Sequence, residues 1–239
     1  MDGMKRRMTL TAELVARVER MERDTSPEPG LTRLEDGDYD GIAEALLQQY
    51  SPTTFWLFAY GSLIWKPEFT SIEHRRGTAY GWHRSFCLEL KSWRGTPEVP
   101  GLMLALDRGG CCEGVVYRLP DNGHHDQLRR LLRRELGYRE DVAATRWINV
   151  RTDAGTVKAL AFYAGPRGND YSGKRAPTEV ARILACAAGH MGSCAMYLYQ
   201  TVVKLEEHGI HDRRMWQLQE LVAAEIAGAM RAPGTAEKA

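Results

Sequence analysis

The sequence predicts an α+β fold: a small mixed or antiparallel barrel-like sheet packed with helices. The first observation is a succession of strand-like runs between residues 55 and 164, most of them separated by turns. The second is that a single helix interrupts them, so the regular strand-helix alternation of doubly wound sheets is missing. The third is that the chain becomes helical after Pro177.

Residues 1–50 are predicted to be a helical extension packed on the main domain. In residues 11–23, apolar side chains recur at helical spacing with charges between them, which indicates an amphipathic helix. The acidic stretch 36–41 contains two glycines and is typical of turns. A short helix is expected over residues 42–49.

The main domain is predicted to span residues 51–231, followed by a flexible tail over residues 232–239. Apolar runs bounded by turn residues predict strands at 55–60, 77–90, 102–107, 113–119, 143–151 and 157–164. The run Asp107-Arg108-Gly109-Gly110 is read as a turn between the third and fourth strands. Helical patterns predict helices at 124–136, 178–188, 195–207 and 212–230.

Composition argues against several classes of protein. Lys plus Arg number 32 against 31 Asp plus Glu, so the net charge of +1 gives no basic surface for nucleic acid. No apolar run approaches the about 20 residues that a membrane span needs. The five cysteines lack the spacing of a disulfide framework, which favours reduced thiols. We therefore expect a cytoplasmic protein, monomer or homodimer, without nucleic-acid or membrane partners.

The most informative segment is Phe58–Trp65, where a buried strand runs into a glycine and a serine. Such a turn leaves the backbone N–H groups of Gly61, Ser62 and Leu63 without partners in regular structure. Pointing into a cleft, they could bind a carboxylate or stabilise an oxyanion. The alternative is an ordinary tight turn.

Glu135 lies in the last turn of the helix predicted over residues 124–136, with Gly137 placed as a left-handed terminator. The helix dipole is negative there, so the pKa of the carboxyl should rise, and more so if water is excluded. A raised pKa suits a general base or acid. The alternative is a surface glutamate paired with a neighbouring arginine.

Two loops carry further candidates. Residues 92–101 are rich in glycine and proline and carry Arg94, which could form a bidentate pair with a substrate carboxylate. Residues 168–173 place Tyr171 on a turn after a strand. Taken singly, neither loop indicates a particular function, and the first could be only a rigid loop exposed to solvent.

Taken together and in this order, these segments resemble the ChaC family of γ-glutamylcyclotransferases. The matching stretches are Tyr60–Trp65, Arg94–Gly101, Gly114–Leu119, Arg134–Tyr138, Asn169–Tyr171, Ala188–Gly192 and Tyr197–Leu198. They extend over roughly residues 54–222, so the first 50 residues lie outside the resemblance. One departure is Cys194-Ala195-Met196, where the family usually has Asn and Glu.

The resemblance implies a small β-barrel with packed helices, no metal or other cofactor, and glutathione as substrate. Glu135 would be the catalytic residue, because the stretch Arg134–Tyr138 resembles the family's segment that carries the catalytic glutamate. For the substrate contacts, the resemblance and the turn chemistry point to Tyr60, Gly61, Ser62, Leu63, Arg94 and Tyr171.

A γ-glutamyl amide carries its own nucleophile, because its α-amine can reach the γ-carbonyl carbon and close a five-membered ring. The effective molarity of such a reaction can reach about 10⁵ M, so the protein need only move protons and stabilise charge. In this interpretation Glu135 takes a proton from the ammonium group and returns it to the departing amine. Arg94 would bind the glycyl carboxylate.

Four other interpretations stay open. A serine or cysteine hydrolase could use Ser62 or the pair Cys186 and His190, although Ser62 lacks a nucleophile elbow. A metal site could use Cys111-Cys112 with His124-His125, although adjacent ligands rarely fit one tetrahedral site. The fold could also belong to an inactive γ-glutamyl-binding module. Finally, the substrate could be another γ-glutamyl amino acid or amine.

Overall fold

The structure, a computed structural model, describes residues 7–28, 30–165 and 170–229. The helices are α1 Ala12–Ala16, α2 Asp36–Gln49, α3 Ser62–Trp65, α4 His124–Glu135, α5 Pro177–Cys186, α6 Cys194–Glu207 and α7 Arg213–Ala229, with a 3-10 helix at Arg139–Ala144. The strands are β1 Trp56–Ala59, β2 Glu73–Leu90, β3 Gly101–Arg118, β4 Thr145–Thr152, β5 Gly155–Phe162, β6 Ala188–Gly189 and β7 Gly192–Ser193. The tail predicted over residues 232–239 lies outside the described residues.

The first five strands form a closed barrel in the order β1-β3-β2-β4-β5. Neighbouring strands are antiparallel, except that β1 runs parallel to β5 and so closes the barrel. All four residues of β1 are buried, as expected of a short apolar strand with a neighbour on each side. The predicted α+β fold, a small mixed barrel packed with helices, is confirmed.

β2 and β3 form a long hairpin of two 18-residue strands. The turn predicted at residues 107–110 was wrong, because β3 continues through it. Between the pairs Tyr80–Cys111 and Trp82–Arg108 the register shifts, so that two glycines oppose one residue of β2. Both glycines have positive φ, 100° and 72°, which identifies a β-bulge.

The N-terminal helix is shorter than predicted. Only Ala12–Ala16 is α-helical, with Thr11 as its N-cap, whereas the prediction extended over residues 11–23. After α1 the chain is held by tertiary contacts instead, since Glu19 accepts hydrogen bonds from the backbone and hydroxyl of Ser193. The apolar periodicity here reflects packing rather than a continuous helix.

The second helix is longer than predicted, because the acidic stretch 36–41 is its first part rather than a turn. Asp38 accepts from the backbone N–H of Glu35 at 2.9 Å, in a reciprocal capping box. Acidic side chains near a helix N-terminus are stabilised by the helix dipole. These two effects outweigh the helix-weakening glycines in the stretch.

The three C-terminal helices are confirmed, with boundaries shifted by a few residues. Ser193 caps α6 by accepting from the backbone N–H of Met196 at 3.1 Å. Helix α6 packs against α1, α3, α5, α7 and strand β3, and half of its residues are buried. Within the described part of the chain, every helix is too short or too polar to cross a membrane.

Candidate active site

A cavity of about 450 Å³ lies where β1 runs into α3, beside the end of α4 and the start of α6. Both the turn after β1 and the end of α4, far apart in sequence, contribute to its wall. Of the residues predicted from the sequence, those that line it are Tyr60, Gly61, Ser62, Leu63, Arg94 and Glu135. The structure thus brings together all but one of the predicted site residues.

Tyr171 is the exception. Its hydroxyl donates to Asp107 Oδ2 at 3.1 Å, and its ring packs on a small cluster that contains Cys87 and Ala105. Among the described residues that line the cavity, the neighbouring Asp170 is present and Tyr171 is not. The role of Tyr171 as a substrate contact stays a prediction.

Glu135 is the last residue of α4, and only 18% of its side chain is exposed. Its Oε1 lies 3.3 Å from Nε of Arg134, whose Nε also lies 3.5 Å from Oε2 of Glu68. Burial raises the pKa of Glu135 to about 7, Glu68 adds to the rise, and Arg134 opposes it. The arginine pair predicted as the alternative is therefore present, but burial outweighs it.

The helix that carries Glu135 does not end as predicted. Gly137 was expected to be a left-handed terminator, but it does not adopt a positive φ. Leu136 is already extended, and the backbone N–H of Leu34 donates to the Gly137 carbonyl at 3.1 Å. Pairing with the N-terminal extension therefore replaces the glycine cap.

Two buried tyrosines share the cavity with Glu135. Burial raises the pKa of Tyr197 to about 12 and that of Tyr60 well above its ordinary value, and the charge of Glu135 adds to both. Both phenols are therefore protonated at neutral pH and can donate hydrogen bonds. Tyr197 was missed as a site residue, although the stretch Tyr197–Leu198 matches the family, because it lies on a helix more than 60 positions after Glu135.

The Tyr197 hydroxyl lies beside Gly61 and Ser62, in the turn after β1. The amide and hydroxyl of Ser62 hydrogen-bond to it, which tends to lower its pKa. A Cβ added at Gly61 would lie 2.8 Å from the same oxygen, closer than carbon and oxygen atoms can pack. The turn after β1 therefore needs glycine for close approach to α6. Its role in binding an anion stays a prediction.

Gly61→Ala is expected to lower the free energy of unfolding by about 1–3 kcal/mol, because the new methyl group overpacks against the Tyr197 hydroxyl. Adding Tyr197→Phe removes that oxygen, so the double variant should recover part of the loss. Urea denaturation of both single variants and the double variant measures the coupling. Additive losses would contradict the proposed clash.

Arg84 fixes the backbone just before this turn and was also missed. Its side chain is only 2% exposed, and its Nε donates to the Tyr60 carbonyl at 2.7 Å. Its other nitrogens donate to the Glu113 carbonyl and, at 2.9 Å, to Asp212 Oδ2. Alternation could have revealed it, since Arg84 occupies the buried face of β2 between Trp82 and Phe86.

Arg94 is a buried cation in the cavity wall. Its Nη1 donates to the Ser193 carbonyl at 2.9 Å, and its guanidinium lies 5.4 Å from the ring centroid of Tyr197. Burial lowers its pKa, while Tyr197, Cys194 and Glu19 act in the opposite direction. The ion pairs among the described residues do not include Arg94, and its role in binding a substrate carboxylate stays a prediction.

An acidic wall faces the same cavity. It is lined by Glu28 from the N-terminal extension, by Asp141 and by Asp170. Burial raises the pKa of Asp170 to about 6, and the charges of Glu28 and Asp141 add to the rise. Ser92 donates its hydroxyl to Glu28 Oε1 at 2.6 Å. Sequence reasoning did not identify this wall, since its members meet only in the fold.

The metal-site interpretation finds no geometric support. Cys111 is exposed and Cys112 is buried, because neighbouring residues on β3 point to opposite faces. Over residues 7–28, 30–165 and 170–229, no group of three or more His, Cys, Asp or Glu side chains could hold a metal ion.

A family model described as ChaC-like protein matches residues 55–225. The chain belongs to the ChaC-like family. A relative from Escherichia coli (strain K12), named glutathione-specific gamma-glutamylcyclotransferase, is 36% identical over 187 residues, which are 76% of this chain and 80% of that protein. Glutathione-specific gamma-glutamylcyclotransferase 1 of Mus musculus is 36% identical over 148 residues, 58% of this chain and 65% of that protein.

A solved structure has the same fold. The crystal structure of a γ-glutamyl cyclotransferase specific to glutathione from yeast matches with a TM-score of 0.64 at 20% identity, over 73% of this chain and 97% of that one. The ChaC-like range, residues 55–225, contains Tyr60, Arg94 and Glu135. Helices α1 and α2 and the cavity residue Glu28 lie before it.

Proposed function

We propose that this ChaC-like protein is a glutathione-specific γ-glutamylcyclotransferase, a lyase that releases 5-oxoproline and cysteinylglycine. The observation that carries the proposal is Glu135, whose side chain is 18% exposed and whose pKa is raised to about 7, in one cavity with two protonated tyrosines and the buried Arg94. Further support comes from the 36% identical Escherichia coli relative, which is named for this activity.

The reaction is an intramolecular displacement. The α-amine of the γ-glutamyl group attacks the γ-carbonyl carbon, a new C–N bond closes the five-membered ring, and the amide C–N bond breaks. Glu135 takes the proton that the amine loses and passes it to the departing amine of cysteinylglycine. No water is consumed, and holding the cyclising conformer supplies much of the rate.

The remaining cavity groups bind the substrate and stabilise the charge that develops on it. The backbone N–H groups of Gly61 to Leu63 hold the glutamyl portion or the oxyanion that develops on its carbonyl. Tyr60 and Tyr197, protonated at neutral pH, donate to the same polar groups. Arg94, a buried cation in the cavity wall, pairs with a substrate carboxylate.

The activity is expected to fall at acid pH. The base works only when Glu135 is ionised, and its pKa is raised from 4.5 to about 7. Below that pH the carboxylate is protonated, so kcat/KM at pH 6 should be about tenfold below its plateau. A pH profile of kcat/KM with glutathione measures this, and an acid limb centred near 4.5 would contradict the assignment.

Substrate choice can be tested directly. Purified protein is incubated without added metal, either with glutathione or with γ-glutamyl-alanine, and the products are identified by mass spectrometry. We expect 5-oxoproline and cysteinylglycine from glutathione and little 5-oxoproline from γ-glutamyl-alanine. Faster turnover of γ-glutamyl-alanine would indicate a different γ-glutamyl substrate. Binding of glutathione without product would indicate an inactive module.

We also propose a cytoplasmic location and a monomeric or homodimeric state. All five cysteines carry free thiols, which is typical of a reducing compartment. Cell fractionation tests the location, and recovery from an extracellular fraction would contradict it. Size-exclusion chromatography tests the oligomeric state, and an assembly larger than a dimer would contradict it.

A further inference from the structure

The N-terminal extension pairs with the chain immediately after Glu135. The backbone N–H of Leu34 donates to the Gly137 carbonyl at 3.1 Å, and that of Arg139 donates to the Thr32 carbonyl at 2.8 Å. Arg33 and Tyr138 form the antiparallel bridge between these two bonds. The extension is therefore joined to the segment that follows α4 by an isolated antiparallel β-bridge.

Side chains of the extension strengthen the same contact. Tyr39 is 6% exposed, and its hydroxyl donates to the carbonyl of Leu136, the residue next to Glu135, at 3.0 Å. The backbone N–H of Glu28 donates to the Tyr138 hydroxyl at 3.0 Å. Glu28 itself lines the cavity, so the extension reaches the site as well as its support.

Charge complementarity joins the acidic stretch of α2 to the arginines of α4 and the following turn. The pairs are Asp36–Arg133 at 2.7 Å, Asp38–Arg139 at 3.0 Å and Asp40–Arg129 at 3.6 Å. Each pair is exposed and contributes little by itself. Three pairs along one helix nevertheless fix the register of the extension on α4.

The contacts with the extension supply hydrogen-bond donors where α4 ends without a glycine cap. A helix end leaves its last carbonyl groups without partners inside the helix. Here the extension supplies donors to the carbonyls of Leu136 and Gly137, directly after Glu135. These bonds tether the backbone directly after α4 to the extension.

We propose that Glu28 and residues 30–40 form a brace that positions Glu135 in the cavity, with Tyr39 as its central positioning residue. The inference rests on the proposed function, in which Glu135 moves the proton. The brace lies before residue 55, so it is outside the range of the ChaC-like match.

The brace has a consequence for proton transfer. The groups that face Glu135 are Arg134 on its own helix, Glu68 after α3, Tyr60 after β1 and Tyr197 on α6. When the brace loosens, we expect Glu135 to become more exposed to water. Because burial is the largest cause of its raised pKa, hydration moves that pKa back toward 4.5.

Tyr39→Phe tests the brace, because it removes only the hydroxyl that bonds to Leu136. We expect kcat with glutathione to fall about fivefold, KM to stay within about twofold, and the acid limb to move to lower pH. The matched control is Tyr50→Phe, in the same extension, whose ring packs on Trp147 of the barrel. The control should keep wild-type kcat and pH profile.

Carbon NMR titration of the Glu135 carboxyl in wild type and both variants needs no turnover, so it separates failure of the brace from failure of the proposed function. A lower pKa in Tyr39→Phe alone supports the brace. Identical titrations and identical kcat in the two variants would overturn it. If the Tyr39→Phe variant does not fold, amide hydrogen exchange in the wild-type protein is the test. Protection of the Leu34 and Arg139 amides as strong as that of amides inside α4 would support the brace. Rapid exchange of both amides would overturn it.

Discussion

Glu135→Gln is expected to lower kcat with glutathione by about 10³-fold, because it removes the group that takes the proton from the attacking amine. Glutamine has nearly the same shape, so KM should change little. The matched control is Glu68→Gln, which alters a cavity carboxylate that also pairs with Arg134 but is 47% exposed. Steady-state kinetics of both variants measure the effect, and equal losses of kcat would show that Glu135 has no special role.

The same substitution has a stability signature that distinguishes a catalytic effect from misfolding. A folded-state pKa raised from 4.5 to about 7 means that the folded protein holds this proton more tightly than the unfolded chain. Stability from this group is therefore complete below pH 4.5 and is lost as pH rises through about 7. Glu135→Gln should remove that loss, so urea denaturation at pH 8 should find the variant at least as stable as wild type.

Arg84→Met is expected to lower the free energy of unfolding by roughly 3–5 kcal/mol, the usual cost of removing one member of a buried ion pair. The side chain is 2% exposed, and its loss leaves the Tyr60 and Glu113 carbonyls and Asp212 without their donor. The Tyr60 carbonyl directly precedes the Gly61 turn, so kcat should fall as well. Urea denaturation and steady-state kinetics measure the two losses.

The control for Arg84 is Arg75→Met on the same strand. Arg75 is 28% exposed and pairs with Glu73 at the surface, so its replacement should cost less than about 1 kcal/mol. Arg84→Lys keeps the charge but cannot reach three acceptors with one ammonium group, and we expect an intermediate loss. Similar losses for the Arg84→Met and Arg75→Met variants would contradict the structural role of Arg84.

Local patterns predicted the parts of the site that lie within single segments. The apolar run before Gly61 predicted a buried strand ending in a cavity-lining turn, and the helical pattern before Glu135 placed that carboxylate at a helix end. Both predictions depend only on residues that lie within a few positions of each other in the sequence. The order of these segments along the chain carried the family resemblance, which the comparisons confirmed.

What sequence patterns missed depends on contacts between distant segments. Tyr197 meets Gly61 only because α6 packs on the turn after β1. The chain leaves α4 in an extended conformation at Leu136 and then pairs with the extension at Gly137 and Arg139, which no pattern near Gly137 reveals. The bulge in β3 was read as a turn because glycines with positive φ suit both structures.

The most direct test of the account is to follow glutathione turnover in water enriched in heavy oxygen. Intramolecular attack by the α-amine predicts 5-oxoproline and cysteinylglycine in equal amounts, with no heavy oxygen in either product. The Glu135→Gln variant should form both products about 10³-fold more slowly. Glutamate carrying heavy oxygen would show that water is the nucleophile, and the cyclotransferase account would then be wrong.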